Sequence, residues 1–342
     1  MPEPLLEVRD LSVSFRTEAG LVRAVDHVSF SLYSGEILGI VGESGSGKSV
    51  TAMSLLRLIR DPNAQFAGEA RYKGRDLMAL PATEMRKVSG AQIAMIFQDP
   101  MTSLNPVYRV GWQIAEQIRE HEHVSGREAR RRSVELLHAV GIPNARSRVD
   151  DYPHQFSGGM RQRVMIAMAV SCNPDLVIAD EPTTALDVTI QAQILALLAR
   201  LREDFDSTVV LITHDMGVLA DVADRMLVMY AGRIVEQGSK RKLFEDPQHP
   251  YTWGLLGATP RLDRPKPRRL AAIPGAPPSL INLPTGCSFW PRCAHAFERC
   301  AQDPALTDKL GAGHLDACHL PVAEKRRLSA HYSYAGERGG DG

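Results

Sequence analysis

A chain of 342 residues is long for one core and predicts one large domain with an appendage, or two domains. Forty basic residues balance forty acidic ones, which removes the simplest argument for a nucleic-acid partner, and none is expected. With 44% hydrophobic residues the chain can build an interior. Yet no apolar run approaches the ~18–20 residues of a membrane span, and Met1–Glu7 lacks the pattern of a secretory signal, so a cytosolic chain is expected.

Residues 5–33 alternate apolar and polar positions through Val8, Leu11, Val13 and Phe15, then Val25, Val28, Phe30 and Leu32. This predicts two strands of a partly exposed antiparallel sheet joined by a turn at Thr17–Gly20. Phe15, at the end of the first strand, could stack on an adenine ring or fill the core. The apolar run Ile37–Val41 then leads into Gly42-Glu43-Ser44-Gly45-Ser46-Gly47-Lys48-Ser49, which fits the phosphate-loop pattern G-x-x-x-x-G-K-[ST] at every fixed position. A helix is expected over Ser49–Ile59. Three glycines let backbone N–H groups curl inward toward a phosphate, and the helix start adds partial positive charge. Lys48 would reach the outer phosphates, and the Ser49 hydroxyl would hold Mg²⁺.

Strands are expected at Gly68–Gly74 and Gln92–Phe97. The second runs into Gln98, whose neutral amide at a strand's C-terminal end can offer an oxygen to Mg²⁺ or position a water. From about 106 to 172 the period turns helical, with Val110, Ile114 and Ile118 on one face and Val134, Leu136, Leu137 and Val140 on another. Within it, Ser157-Gly158-Gly159 reads as an N-cap with glycines that permit close approach, a second helix start able to bind an anion. The run Asp175–Pro182 is a buried strand ending in two acids. Asp180 would belong to the Mg²⁺ shell, and Glu181 would point at the terminal phosphate, where a carboxylate can polarise a water. Thr184–Asp187 turns into a helix over Ile190–Leu201, and Thr208–Thr213 forms a further buried strand. It ends on His214, which could hydrogen-bond a γ-phosphate or serve only the structure.

Taken together and in this order, these motifs resemble those of the ATP-binding subunits of ABC transporters over roughly residues 5–250. The resemblance implies an α/β P-loop NTPase of the ABC-ATPase fold, with an antiparallel β subdomain, a helical subdomain at about 100–172 and a small Cys-rich C-terminal extension. It makes Gly42–Ser49 the Walker A loop, Gln98 the Q-loop, Ser157-Gly158-Gly159 the signature motif, Asp180 and Glu181 the Walker B pair, Asp187 the D-loop and His214 the switch histidine. Catalytic roles then fall to Glu181, His214, Gln98 and Lys48. ATP contacts fall to Gly42, Glu43, Ser44, Gly45, Ser46, Gly47, Lys48, Ser49, Phe15, Gln98, Ser157, Gly158, Gly159 and Asp187, and Mg²⁺ to Ser49, Gln98 and Asp180. Met160 stands where the family commonly has Gln; the phosphate contacts are expected from Ser157 and N–H groups, so function should be kept.

After about residue 245 the sequence resembles a narrower group, the oligopeptide and dipeptide importer ATPases, with nickel importers sharing much of the pattern. Asp246–Thr252, Ile273–Pro278 and Gly286–Cys293 carry this resemblance. It implies an ATP-hydrolysing subunit at the cytoplasmic face of the membrane, which drives di- or oligopeptides through two permease subunits fed by a substrate-binding protein. It also implies a second ATPase subunit, with a heterodimer favoured. Import of nickel or another small solute, and a soluble ABC ATPase acting on nucleic acid or ribosomes, are the alternatives. Residues 1–255 are expected to form the ATP-binding domain, 256–286 a Pro-rich connector, 287–328 the extension and 329–342 a disordered tail.

Cys287, Cys293, Cys300 and Cys318 crowd a core-poor segment, which suggests a metal centre as its organiser. No tight C-x₂₋₄-C pair of structural zinc sites occurs, and the wider spacing is easier to drape around a cubane. The family resemblance points the same way, to a [4Fe–4S] cluster. Zinc stays open because His295, His314 and His319 lie nearby, and disulfides are disfavoured in cytosol. Cys172 is expected to be a buried small residue rather than a ligand.

Overall fold

The structure is a computed structural model, and it describes residues 3–184, 186–205, 207–259, 273–330 and 332. In chain order, strands β1 (Leu6–Thr17), β2 (Gly20–Leu32) and β3 (Ile37–Val41) precede helix α1 (Lys48–Leu55), then β4 (Ala64–Tyr72), β5 (Arg75–Asp76), α2 (Ala82–Val88) and β6 (Ile93–Ile96). A helical stretch follows, with α3 (Pro100–Ser103), α4 (Val110–His121), α5 (Gly126–Ala139), α6 (Ala145–Arg148) and α7 (Gly158–Ala169). Next come β7 (Leu176–Asp180), α8 (Val188–Phe205), β8 (Thr208–Thr213), α9 (Met216–Val222), β9 (Arg225–Tyr230), β10 (Arg233–Ser239), α10 (Lys240–Glu245) and α11 (Pro250–Ala258). The C-terminal part holds β11 (Leu315–Asp316) and α12 (Val322–Ser329).

These elements divide into two compact units. The first comprises Met1–Leu5, Leu32–Ile37 and Tyr72–Ile212; the second comprises Leu6–Ser31, Leu38–Arg71 and Thr213–Gly342. In the first unit β8, β7 and β6 run parallel in that order, with Leu176 opposite Thr208 and Ile93 opposite Leu176. Every residue of β7 and β8 is buried, as expected of apolar runs covered on both faces. The helical stretch belongs to this unit. On α4 the buried Val110, Ile114 and Ile118 form the expected stripe. On α5 the stripe is Ala129, Ser133 and Leu137, so the middle position is a serine and Val134 and Leu136 are only half-buried. The Ser133 hydroxyl escapes the cost of burial by donating to the Ala129 carbonyl at 2.8 Å.

In the second unit β3 pairs parallel with β9, β9 antiparallel with β10, and β10 antiparallel with β11. Beside them β2, β1 and β4 form the expected antiparallel sheet in that order. The core near the C-terminus gathers Trp253, Cys318 and Leu320, against which Leu328 and Tyr332 pack.

Several boundaries differ from the sequence reading. The first helix stops at Leu55, not Ile59, because Arg57 turns left-handed (φ 52°). The Arg57 N–H then bonds the Ser54 carbonyl at 2.9 Å and the Leu58 N–H bonds the Met53 carbonyl at 2.9 Å, a Schellman stop built without glycine. The strand expected at 68–74 begins earlier, at Ala64, and ends at Tyr72, where Lys73 and Gly74 make the turn into β5.

The Cys-rich segment is not supported as a self-contained extension. It shares the second unit with the phosphate loop, and its strand β11 is added to β10 by pairing Asp316 with Glu236. Of the Pro-rich connector expected over 256–286, residues 256–258 instead finish α11 and residues 260–272 lie outside the described residues; farther on, the Leu280 carbonyl accepts from the Arg23 N–H of β2 at 3.1 Å. Residues 331 and 333–342 of the expected tail are also outside the described set. Tyr332, by contrast, stacks on Trp253 with ring centroids 6.5 Å apart.

Candidate functional site

The phosphate loop lies between β3, buried throughout, and α1. Its glycines are demanded by geometry at two points. A Cβ on Gly42 would sit 2.2 Å from the Met229 carbonyl oxygen. One on Gly47 would sit 2.3 Å from the Ala24 carbonyl oxygen, and Gly47 also has φ 99°. Gly42, Ser46, Gly47 and Lys48 are buried, whereas Ser44 and Gly45 face outward. The Lys48 ammonium is drawn into the curl, donating to the Gly42 carbonyl at 2.7 Å and the Glu43 carbonyl at 3.0 Å. Ser49 is the second residue of α1 and half-buried. Phe15 is half-buried on β1, and His214 follows β8 with an exposed ring.

In the first unit the ends of β6 and β7 bring Gln98 and Glu181 together. The Gln98 amide nitrogen donates to Glu181 Oε2 at 3.1 Å, and the Thr184 hydroxyl donates to the same oxygen at 2.9 Å. Glu181 is also one of the few non-glycine residues with positive φ, 45°, and its N–H is held by the Ile212 carbonyl at 2.9 Å. A left-handed glutamate costs of order 1 kcal/mol and persists only where surroundings fix it, as at functional sites. Asp180, just before it, closes β7 as a buried carboxylate, 5% exposed. Because Gln98 gives its nitrogen to Glu181, its amide oxygen is the atom left for a cation; with the buried Asp180 carboxylate this is an oxygen donor set that suits Mg²⁺.

Ser157 caps α7 as expected, its hydroxyl accepting from the Met160 N–H at 3.4 Å, and both Ser157 and Gly158 are exposed. Gly159 lies against α8, where a Cβ would meet Ile190 Cγ2 at 2.8 Å. Asp187 caps that helix, accepting from the Ile190 N–H at 2.9 Å. The signature residues therefore keep company with Asp187 and the start of α8.

The four cysteines of the C-terminal region are reduced and line one pocket with His295 and His319. Burial pushes the Cys287 and Cys293 thiols up to about 11, and raises Cys318 as well. Among the described residues no group of three or more His, Cys, Asp or Glu is arranged to hold a metal ion, so the expected cluster or zinc at Cys287, Cys293, Cys300 and Cys318 gains no coordination site from the structure. His314, a suggested zinc ligand, is instead committed to the wholly buried Glu236 at 2.7 Å. Cys172, expected to be buried, is half-buried, with its sulfur 3.8 Å from the Ser171 hydroxyl and 3.8 Å from the Gln117 carbonyl.

Some partners were not legible in the sequence. Thr184 sits one turn beyond Glu181, and its spacing in Glu181-Pro182-Thr183-Thr184 is the signal that could have found it. Arg292 and Tyr251 carry no such local signal. The Tyr251 hydroxyl accepts from the Glu43 N–H at 2.7 Å, and the Arg292 guanidinium pairs with the Glu43 carboxylate at 2.6 Å.

A glycine-rich curl with an inward ammonium, opening a helix after a buried parallel strand, defines a P-loop nucleotide-binding protein. Residues 25–184 match the family described as ABC transporter, and residues 235–300 match the one described as Oligopeptide/dipeptide transporter, C-terminal region. The oligopeptide transport ATP-binding protein OppD of Escherichia coli is 53% identical over 322 residues, 94% of this chain and 95% of that protein. Its Bacillus subtilis namesake is 55% identical over 295 residues, 86% of this chain and 82% of that one. A solved ATP-binding cassette, dimeric in a post-hydrolysis state with ADP and Pi, superposes with a TM-score of 0.62 at 27% identity, covering 69% of this chain and 99% of that one. The chain belongs to the ABC transporter ATP-binding proteins, in the group that carries the oligopeptide/dipeptide transporter C-terminal region. It is an ATPase whose family couples hydrolysis to transport. Among the described residues no helix is long and apolar enough to cross a membrane.

Proposed function

We propose that this chain is the ATP-hydrolysing subunit of a peptide importer, powering passage of di- and oligopeptides through separate permease subunits supplied by a substrate-binding protein. The observation that carries the reading is the Gln98–Glu181–Thr184 hydrogen-bonded set at the strand ends of an OppD-like chain. The relatives' names favour peptide cargo over nickel and over a role on nucleic acid or ribosomes.

In this reading the loop N–H groups of Gly42–Ser49 and the Lys48 ammonium bind the phosphates, and Phe15 stacks on adenine. Ser49, Asp180 and Gln98 are the oxygen donors for Mg²⁺, which when bound spreads the charge of the outer phosphates. Glu181, oriented by Gln98 and Thr184, takes the proton of the attacking water, and His214 hydrogen-bonds the γ-phosphate. Ser157, Gly158 and Gly159, the first two exposed at the start of α7, close over the nucleotide of an opposing ATPase subunit, a different chain rather than a copy, with Asp187 beside them.

Docking on the permeases, at the cytoplasmic face of the membrane, uses the first unit near Gln98 and α4. There Tyr108 and Trp112 stack with centroids 4.2 Å apart while each stays 45% exposed, an apolar pair left facing solvent. The test is purification in mild detergent with mass spectrometry of the bound subunits and peptide-stimulated phosphate release. Permease subunits and stimulation are expected; ribosomes or DNA in their place would refute the importer.

The four C-terminal thiols, lining one pocket and free of disulfides, are proposed as ligands of a [4Fe–4S] cluster with a structural role. Anaerobic purification should give about four iron and four acid-labile sulfide per chain. One bound zinc without sulfide would assign the thiols to zinc instead.

A further inference from the structure

Glu43 is the first variable residue of the phosphate loop, and its side chain is claimed by a residue far along the chain. The Arg292 guanidinium donates through Nη1 to Glu43 Oε2 at 2.6 Å and through Nη2 to Glu43 Oε1 at 3.0 Å, a bidentate fork. This is no surface pair: the Arg292 side chain is 5% exposed and that of Glu43 is 26% exposed. The remaining donor of the fork is also used, since Arg292 Nε donates to the Pro274 carbonyl at 2.8 Å. The guanidinium lies 5.8 Å from the Tyr230 ring centroid and 5.9 Å from that of Phe289, so its plane is held by aromatic faces as well.

The backbone of Glu43 is held at both of its polar groups. Its N–H donates to the Tyr251 hydroxyl, and its carbonyl accepts from the Lys48 ammonium at 3.0 Å. The residue that Arg292 immobilises is therefore the residue that helps to place the phosphate-binding ammonium. Arg292 also neutralises a carboxylate that stands in a loop built to receive an anion, where an unpaired negative charge would repel the triphosphate.

We propose that Arg292 is a positioning residue for the nucleotide: through Glu43 it fixes the start of the phosphate loop and the place of Lys48. The region beyond the ATPase core is thereby a working part of the ATP site. This rests on the ATPase reading above. The Arg292 guanidinium is spent on Glu43 and the Pro274 carbonyl and acts through the loop, so its loss weakens binding and leaves chemistry at saturation largely intact.

The experiment measures the affinity of a fluorescent ATP analogue with Mg²⁺, and kcat against KM, for the full chain and four variants. Arg292→Met should raise the Kd about tenfold while kcat at saturating ATP changes by less than about threefold. Made in a Glu43→Gln background, the same Arg292→Met change should move the Kd by less than about threefold relative to Glu43→Gln alone, because the carboxylate through which Arg292 acts is already gone. A purely structural arginine, holding only Pro274 and its own loop, predicts the same tenfold loss in both backgrounds. Arg292→Lys keeps the charge without the fork and should show an intermediate loss; if the Met variant fails to fold, this one decides. A wild-type Kd retained by both Arg292 variants, or an Arg292→Met loss of equal size with and without Glu43→Gln, overturns the proposal alone. A wild-type chain that binds no nucleotide overturns the ATPase reading with it.

Discussion

Glu181→Gln is expected to leave ATP binding intact and nearly abolish turnover, and the structure says why the two separate. Both neighbours that orient the side chain, the Gln98 amide and the Thr184 hydroxyl, donate to the same atom, Oε2, at 3.1 and 2.9 Å. A glutamine can put its single carbonyl oxygen there and keep both bonds. Its NH₂ then replaces Oε1, and a group that accepts a proton becomes one that only donates. The left-handed backbone and the N–H bond to Ile212 are main-chain features that the change does not touch. General-base losses are on the order of a hundred- to ten-thousand-fold, about 2.7–5.5 kcal/mol in the barrier. Glu181→Ala should do more than this: it strands the Gln98 and Thr184 donors, so structure and turnover suffer together. The assay is phosphate release by the assembled transporter, with nucleotide affinity measured in parallel. A Gln variant with half the wild-type rate, or one whose ATP affinity falls with its rate, would refute this account of Glu181.

Gly47→Ala should abolish nucleotide binding, since its Cβ would lie 2.3 Å from the Ala24 carbonyl on a backbone at φ 99°; the check is analogue binding by a variant whose circular dichroism matches wild type. Trp112→Ala with Tyr108→Ala should leave nucleotide binding unchanged but reduce recovery of permease subunits in detergent pull-downs, because the stacked pair is exposed and neither residue is assigned a nucleotide contact. His249, wholly buried, has its pKa lowered by burial to about 3, against an ordinary value near 6.5. The unfolded chain thus takes up a proton that the fold refuses: stability is full above about pH 6.5 and falls as pH drops toward 3, by at most about 1.4 kcal/mol per unit. The imidazole Nδ1 caps α11 by accepting from the Tyr251 N–H, a role asparagine can fill, so His249→Asn should flatten the urea midpoint between pH 6.5 and 4; an unchanged slope would refute the assignment.

What was legible in the sequence was local. The phosphate loop, the buried runs at 176–180 and 208–213 and the Ser157 cap are each set by residues a few positions apart, so spacing alone reveals them. The end of α1 was missed because its stop uses Arg57 in the left-handed region, where glycine is the usual signal. The long-range partners were invisible for a different reason. Glu236 is 0% exposed and accepts from the Gln248 and His249 N–H groups and faces His314, yet nothing near it in the sequence marks it as a buried acid rather than a solvated one. The cysteines lie between these cases: their crowding in the sequence does put all four on one pocket, but whether their side chains form a ligand set depends on orientation, which spacing does not encode.

The fork between Arg292 and Glu43 joins residues 249 positions apart, within a unit whose three segments alternate in the sequence with those of the other unit. During synthesis at about 5–20 residues per second, Glu43 precedes its partner by roughly 12–50 s. For that interval the nascent chain carries the loop sequence without the arginine that steadies it. Such a distant closure is slow to form, and the contact is among the last available to fold. If Arg292 positions the loop as proposed, firm ATP affinity becomes a property of the finished chain, and messages cut short before residue 292 yield products that compete poorly for nucleotide.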